Sequence, residues 1–324
     1  MSGRNEASTR RIHALASLPH YRRHVEAVWA RLDSEVQGEV RWGQTASTRN
    51  LPKGDVVLVG GFYDIERVPE HSIVYVEHGA GQSYRGDIST AGHPAYHGSQ
   101  HDERVIGYVC PNQRVADSWD KPAVAAGCPA LDGHDAYRSI AGAMERHAVI
   151  TFHWDCRRVC AEARSARDHY IEDLHSMVGH LRAHGFDVIG HAHPRDVRAA
   201  EIWRNLQVPF EPDPDVILAK ADLLVADNTS LQYEAAKLGI PQYVLNAPWY
   251  RRYINHGLRF WDQVPGEQIE DVRQFMSTSP GTYARGTSIL LHARNIGDQV
   301  YPVPVGQAGD VAARWVEKLV AEQV

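Results

Sequence analysis

Short apolar runs alternate along this chain with stretches in which apolar residues recur at helical spacing. In the first half, Tyr21, Val25, Val28, Trp29 and Leu32 mark an amphipathic helix over Tyr21–Leu32. Strands are predicted at Glu39–Trp42, Asp55–Val59, Ser72–Val76 and Val105–Val109, with a strand-then-turn from Val124 to Pro129. Gln113–Trp119 reads as a short helix and residues 1–11 as a loose tail. The pattern restarts at a strand over Ala148–Phe152, followed by a long helix over Ala166–His184 closed by Gly185. Then come a strand at Phe186–Ile189, a short extended piece at Val208–Phe210 and a helix at Val216–Lys220. Helices at Glu267–Met276 and Asp310–Val320 complete the chain.

Strand and helix alternating in both halves predict an α/β protein with two Rossmann-like parallel-sheet domains, their carboxyl edges facing a central cleft. The Gly/Pro-punctuated stretch after Gly127 places the linker within residues 130–146. The expected division is residues 1–138, residues 139–306, and a terminal helix in 307–324 packing back near the first domain.

The stretch with most internal detail is Ala221–Pro248. Leu223–Val225 reads as a strand buried on both faces, and Asp227, Asn228, Thr229 and Ser230 as turn and capping residues. A helix follows with Leu231, Ala235 and Leu238 on one face, ended by Gly239 and Pro241, before a strand at Tyr243–Leu245. Such a unit presents backbone N–H groups at the carboxyl edge of the sheet, a setting suited to a diphosphate. A second informative turn follows Ser72–Val76, where Glu77-His78-Gly79-Ala80-Gly81-Gln82 brings an imidazole to a sheet edge. Position alone allows two readings of His78: a base for an acceptor hydroxyl, or a strand-end histidine bonded to a neighbouring loop.

Composition narrows the classes. The 324 residues are 43% hydrophobic, enough for two cores, and carry a net charge of −6. That charge tells against a nucleic-acid binder, although Arg157-Arg158 and Arg251-Arg252 are local basic pairs. No apolar run has the length of a membrane span and the first residues lack an apolar signal core, so a cytoplasmic protein without integral membrane contact is expected. The four cysteines do not form a disulfide framework. His153, Cys156 and Cys160 share a helical spacing but lack an evident fourth ligand, and no metal is assigned. Among the nineteen histidines, His93, His97 and His101 are four apart, but Gly and Pro interrupt the segment. Asp213-Pro214-Asp215 has metal-site spacing, yet its proline fits an ordinary turn.

The string Asp227-Asn228-Thr229-Ser230, with Glu234 and then Gly239-Ile240-Pro241, resembles the carboxyl-domain motif of the CDP-glycerol:polyglycerophosphate glycerophosphotransferases. It is similar, more distantly, to a string of the UDP-N-acetylglucosamine 2-epimerases. Four further places resemble the first family: His78-Gly79, Gly127–Asp132, Thr151–Asp155 and His193-Pro194. The chain departs from its pattern where Tyr84-Arg85 stands near a family lysine, where the Thr151–Asp155 turn lacks arginine, and at Asn228.

The resemblance implies the glycosyltransferase GT-B architecture and a nucleotide-diphosphate donor, CDP- or UDP-linked, as substrate, with no cofactor required. It implies transfer of a sugar or glycerol-phosphate group to an acceptor hydroxyl by direct displacement, with His78 as base and His193 neutralising phosphate charge. Asp227, Thr229, Ser230, Glu234 and Arg195 would bind the donor, and Gly79, Gln82, His153 and Asp155 would support the site. The acceptor is left open among a glycan, a polyol phosphate and a modified DNA base. Three alternatives stand beside this reading: a nucleotide-sugar 2-epimerase, a phage-type DNA glycosyltransferase, and a nucleotide-binding module without catalysis.

Overall fold

The computed structural model describes residues 10–80, 102–134, 146–155, 164–250 and 264–323. The chain divides into two compact units. Unit 1 comprises Met1–His78, Gly98–Asp132 and Gly306–Val324, and unit 2 comprises Gly79–His97 and Gly133–Val305.

Unit 1 is built on a six-stranded, wholly parallel sheet in the order β2-β1-β3-β4-β5-β6. Its strands are β1 (Ile12–Ala16), β2 (Gln37–Trp42), β3 (Val56–Val59), β4 (Ser72–Val76), β5 (Val105–Cys110) and β6 (Ala123–Ala125). The residues of β1 and β3 are all buried, as strands covered on both faces require. Helix α1 (Pro19–Trp29) lays Tyr21, Val25 and Val28 on the sheet. The short helices α2 (Phe62–Ile65) and α3 (Gln113–Ala116) follow β3 and β5, the second capped by the Asn112 side chain.

Unit 2 carries a five-stranded parallel sheet in the order β11-β10-β9-β7-β8. The strands are β7 (His147–Phe152), β8 (Asp187–Ala192), β9 (Ala221–Ala226), β10 (Gln242–Leu245) and β11 (Glu267–Ile269). Between them run α4 (Arg167–Tyr170), α5 (Leu174–Ala183), α6 (Ala199–Asn205), α7 (Pro214–Lys220) and α8 (Leu231–Lys237). After β11 come α9 (Val272–Ser277), α10 (Pro280–Tyr283) and α11 (Thr287–Val300). The last helix, α12 (Ala308–Ala321), belongs to unit 1, where Ala312, Val316 and Leu319 join the core beneath α1.

Three of the elements expected from the sequence pattern take a different form. The helix expected over Ala166–His184 is broken into α4, a 3-10 turn at Ile171–Asp173 and α5. The break seats Tyr170 inside, where its hydroxyl donates to the carbonyls of Asn246 and Ile269 at 2.9 and 3.0 Å. The helix expected over Glu267–Met276 is β11 followed by α9, divided at Asp271, whose side chain accepts from Gln274 N–H at 2.8 Å and starts the helix. The piece at Val208–Phe210 makes only an isolated bridge between Phe210 and Gly190. The expected linker, residues 130–146, lies partly outside the described residues. No helix among the described residues is long and apolar enough to cross a membrane.

Candidate functional site

In each sheet the second strand lies outside the first, and the chain then crosses back to the other side. The switch therefore falls between β7 and β9 in unit 2 and between β1 and β3 in unit 1. Open α/β sheets bind ligands at the carboxyl ends of such strands.

In unit 2 the two switch strands end in His153-Trp154-Asp155 and in Asp227-Asn228. The Asp227 side chain ties these ends together. One carboxylate oxygen accepts from His153 N–H at 2.7 Å, and the other from Ala166 N–H at 2.9 Å and Ser165 Oγ at 3.3 Å. The residue is wholly buried. Burial pushes its carboxyl up to about 6, against the opposing pull of those hydrogen bonds. Sequence places Asp227 among donor-binding residues; in the structure its carboxylate is buried and accepts hydrogen bonds from His153, Ser165 and Ala166. Glu234, too, is buried, at 2% exposure.

Thr229 and Ser230 are half-buried where the turn reaches α8. The expected side-chain cap from Ser230 is not made; Thr229 Oγ1 accepts from Leu231 N–H at 3.4 Å. Gly79, which opens the 79–97 segment of unit 2, leaves room beside Ser230: a Cβ there would lie 2.6 Å from its Oγ.

β8 delivers two histidines to different fates. His191 is buried, its Nδ1 2.7 Å from Thr151 Oγ1. His193, just past the strand, is half-buried, and its N–H donates to Phe152 O at 3.2 Å, joining the ends of β7 and β8. Its ring lies 5.4 Å from that of His153 and stacks on Trp154 at 5.9 Å. The Arg195 guanidinium lies over the other component of that stack, 5.1 Å from the Trp154 ring. Arg195 N–H donates to His193 Nδ1 at 3.2 Å. An Nδ1 that accepts bears a lone pair, so the neutral ring carries its proton on Nε2, as a donor.

In unit 1 His78 stands two residues beyond β4, its Nδ1 bonded to Gly60 O at the end of β3. A carbonyl oxygen only accepts, so Nδ1 carries the proton and Nε2 the lone pair. Tyr21 and His20, in the first turn of α1, flank the ring at 4.4 and 5.4 Å. Burial holds the neighbouring His24 well below the ordinary histidine range, with Arg23 and then His78 adding to the effect. Glu77 points into the core, where its carboxylate accepts from Trp119 Nε1 at 3.2 Å.

The structure thus brings together His153, His193 and Arg195, with Trp154 as the stacking member that sequence reading missed. Trp154 was visible only as a letter in the Thr151–Asp155 string; nothing in its spacing points to His193. Asp155 is half-buried at the end of the same turn. Gln82, the Cys156 and Cys160 pair, His93, His97, His101 and the arginine pairs at 157–158 and 251–252 lie outside the described residues. Asp213 of the Asp-Pro-Asp turn caps α7, accepting from Asp215 N–H at 2.9 Å.

No protein-family model matches the chain, and no curated protein matches it. Solved structures do. The wall teichoic acid polymerase TagF is similar with a TM-score of 0.63 at 10% identity, covering 98% of this chain and 90% of that one. The chain has the GT-B fold. A TagF variant soaked with CDPG gives a TM-score of 0.64 at 11% identity over 97% and 89% of the two chains. Also similar is S. aureus MnaA in its UDP co-structure, with a TM-score of 0.59 at 13% identity over 96% and 97%. GT-B proteins of these two kinds are those whose motifs the Ala221–Pro248 string resembles.

Proposed function

We propose that the chain is a GT-B transferase that moves a sugar or glycerol-phosphate group from a nucleotide-diphosphate donor to an acceptor hydroxyl. The observation that carries this reading is the opposite protonation of its two strand-end histidines. His78 offers a lone pair at Nε2, as a base needs; His193 offers Nε2–H, as a partner for a phosphate oxygen needs. TagF and MnaA structures that hold CDPG and UDP share the fold and support a nucleotide as the ligand.

In this mechanism the donor's diphosphate lies on unit 2, against His193, Arg195 and the hydroxyls of Thr229 and Ser230. The acceptor oxygen bonds to the transferred group as the bond to the diphosphate breaks. The acceptor proton passes to His78 Nε2, and the negative charge growing on the departing diphosphate is met by His193 Nε2–H and the Arg195 guanidinium. The reading uses no metal and no second nucleophile. An epimerase requires several carboxylates around its sugar; of Glu77 and Asp87, which flank His78 in the sequence, Glu77 is engaged by Trp119 inside unit 1 and Asp87 lies outside the described residues.

The test incubates the protein with CDP-glycerol or a UDP-sugar, with and without a panel of glycan and polyol-phosphate acceptors, and follows release of nucleoside diphosphate. Release that depends on acceptor, and that His78→Gln lowers by about 100-fold or more without weakening nucleotide binding, is expected. An altered sugar from donor alone would contradict the reading in favour of epimerisation.

A further inference from the structure

We propose that unit 1 carries a separate subsite, at the carboxyl end of β2, for an anionic group on an extended acceptor. This rests on the transferase reading for the word acceptor; the anion-binding property does not.

The pocket holds about 380 Å³ and is lined in part by Arg41, Trp42, Thr45, Ser47, Arg49 and Asn50, with no acidic side chain in its wall. It is formed by the loop after β2, and that loop is firmly built. Gly43, at φ +95°, turns the chain, and its N–H donates to Ala16 O at 2.9 Å. Arg67 donates to the carbonyl oxygens of Gln44 and Ala46, and Thr48 Oγ1 donates back to Arg67 O at 3.3 Å. Ala46, Thr48 and Leu51 are buried anchors. Thr45, just before these anchors, and Ser47, Arg49 and Asn50, between them, line the pocket together with Ala46.

The charge is positive and incompletely answered. Arg41 pairs with Glu39 at 2.5 Å, but Arg49 forms no ion pair among the described residues. Trp42 supplies a flat apolar wall and lies under the Arg22 guanidinium, 5.2 Å from its ring centroid. Two guanidiniums, two hydroxyls and an amide around an aromatic face suit a phosphate or carboxylate carried on a polyhydroxylated body.

The sheet sets the distance from this pocket to His78. Trp42 pairs with Ala16, Leu15 with Val59 and Val59 with Tyr75, so Trp42 and Val76 stand level in the sheet. From β2 through β1 and β3 to β4 there are three strand spacings. At about 4.8 Å each, the pocket lies roughly 14 Å to the side of the His78 strand end. An acceptor using both would place its charged group that far from the hydroxyl that reacts, which a single sugar ring cannot span.

The test titrates the whole protein with glucose 6-phosphate, glucuronic acid and glucose, following the Trp42 indole N–H resonance, assigned by its loss in Trp42→Phe. A shift with a charged sugar, absent with glucose and weakened at least tenfold in Arg49→Gln, is expected; which charged sugar acts tells phosphate from carboxylate. No shift with either charged sugar, an equal shift with glucose, or unchanged binding by Arg49→Gln would overturn the proposal. Nucleotide binding read on the Trp154 indole of the same samples reports the donor reading independently.

Discussion

Asp227 shows how a single side chain determines what the neighbouring groups can do. It is an acid held ionised in a wholly buried place by hydrogen bonds from His153, Ala166 and Ser165. Its carboxyl titrates at about 6 instead of 3.8, so burying the charge costs stability above pH 6, on the order of 3 kcal/mol. A raised folded-state pKa contributes stability that is complete below about pH 4 and lost as pH rises through about 6. Asp227→Asn removes that dependence. Thermal unfolding followed from pH 7 to pH 4.5 is expected to show wild type gaining on Asp227→Asn as pH falls; parallel curves would contradict the assignment. From sequence, Asp227 reads as a turn residue facing a ligand, because its three partners lie 61 to 74 residues away and no local spacing announces them. His78 and His193 were legible as strand-end histidines. Their tautomers were not, since these depend on Gly60 O and Arg195 N–H.

At the scale of elements, α8 carries Glu234 and the turn before it, and α11 braces it. Gly297 of α11 sits so close that a Cβ there would lie 2.6 Å from the carbonyl carbon of Ala236. In an isolated helix Gly→Ala gains about 1 kcal/mol. Here the methyl group meets backbone that cannot turn aside, and overpacking of this kind costs about 1–3 kcal/mol. Gly297→Ala is thus expected to lower the urea midpoint of unfolding; a raised midpoint would show that α11 can shift freely. The apolar runs of β3, β4, β5 and β7 identify those strands because they are rich in β-branched residues, whereas β9 is marked by its continuous Leu223-Leu224-Val225 run. The strand β1 of unit 1, second from the sheet edge, is not legible within Ile12–Ala16. Its Ile-His-Ala-Leu-Ala string has little intrinsic strand preference, and its pairing with both β2 and β3 makes it a strand. Glu267–Met276 failed for the opposite reason: Asp271 is a start signal that the surrounding helical periodicity masked.

At the scale of the molecule, two parallel sheets each present chemistry at a carboxyl edge. Unit 2 presents the stacked Trp154 and His193 with Arg195; unit 1 presents His78 and, three strands away, the Arg41–Arg49 pocket. Alternation of strands and helices made the two-sheet architecture readable from sequence, whereas strand order, which places the switch points, depends on pairings far apart in the chain. The central claim is that unit 2 holds a nucleoside diphosphate through His193. It is tested most directly by thermal shift with CDP, UDP, GDP and ADP on wild type and His193→Ala. At a hundredfold excess over Kd, a ligand of the folded state stabilises it by about 2.7 kcal/mol. The account predicts a raised Tm with CDP or UDP in wild type and a much smaller rise in His193→Ala. No rise with any of the four nucleotides, or an equal rise in both proteins, would contradict it.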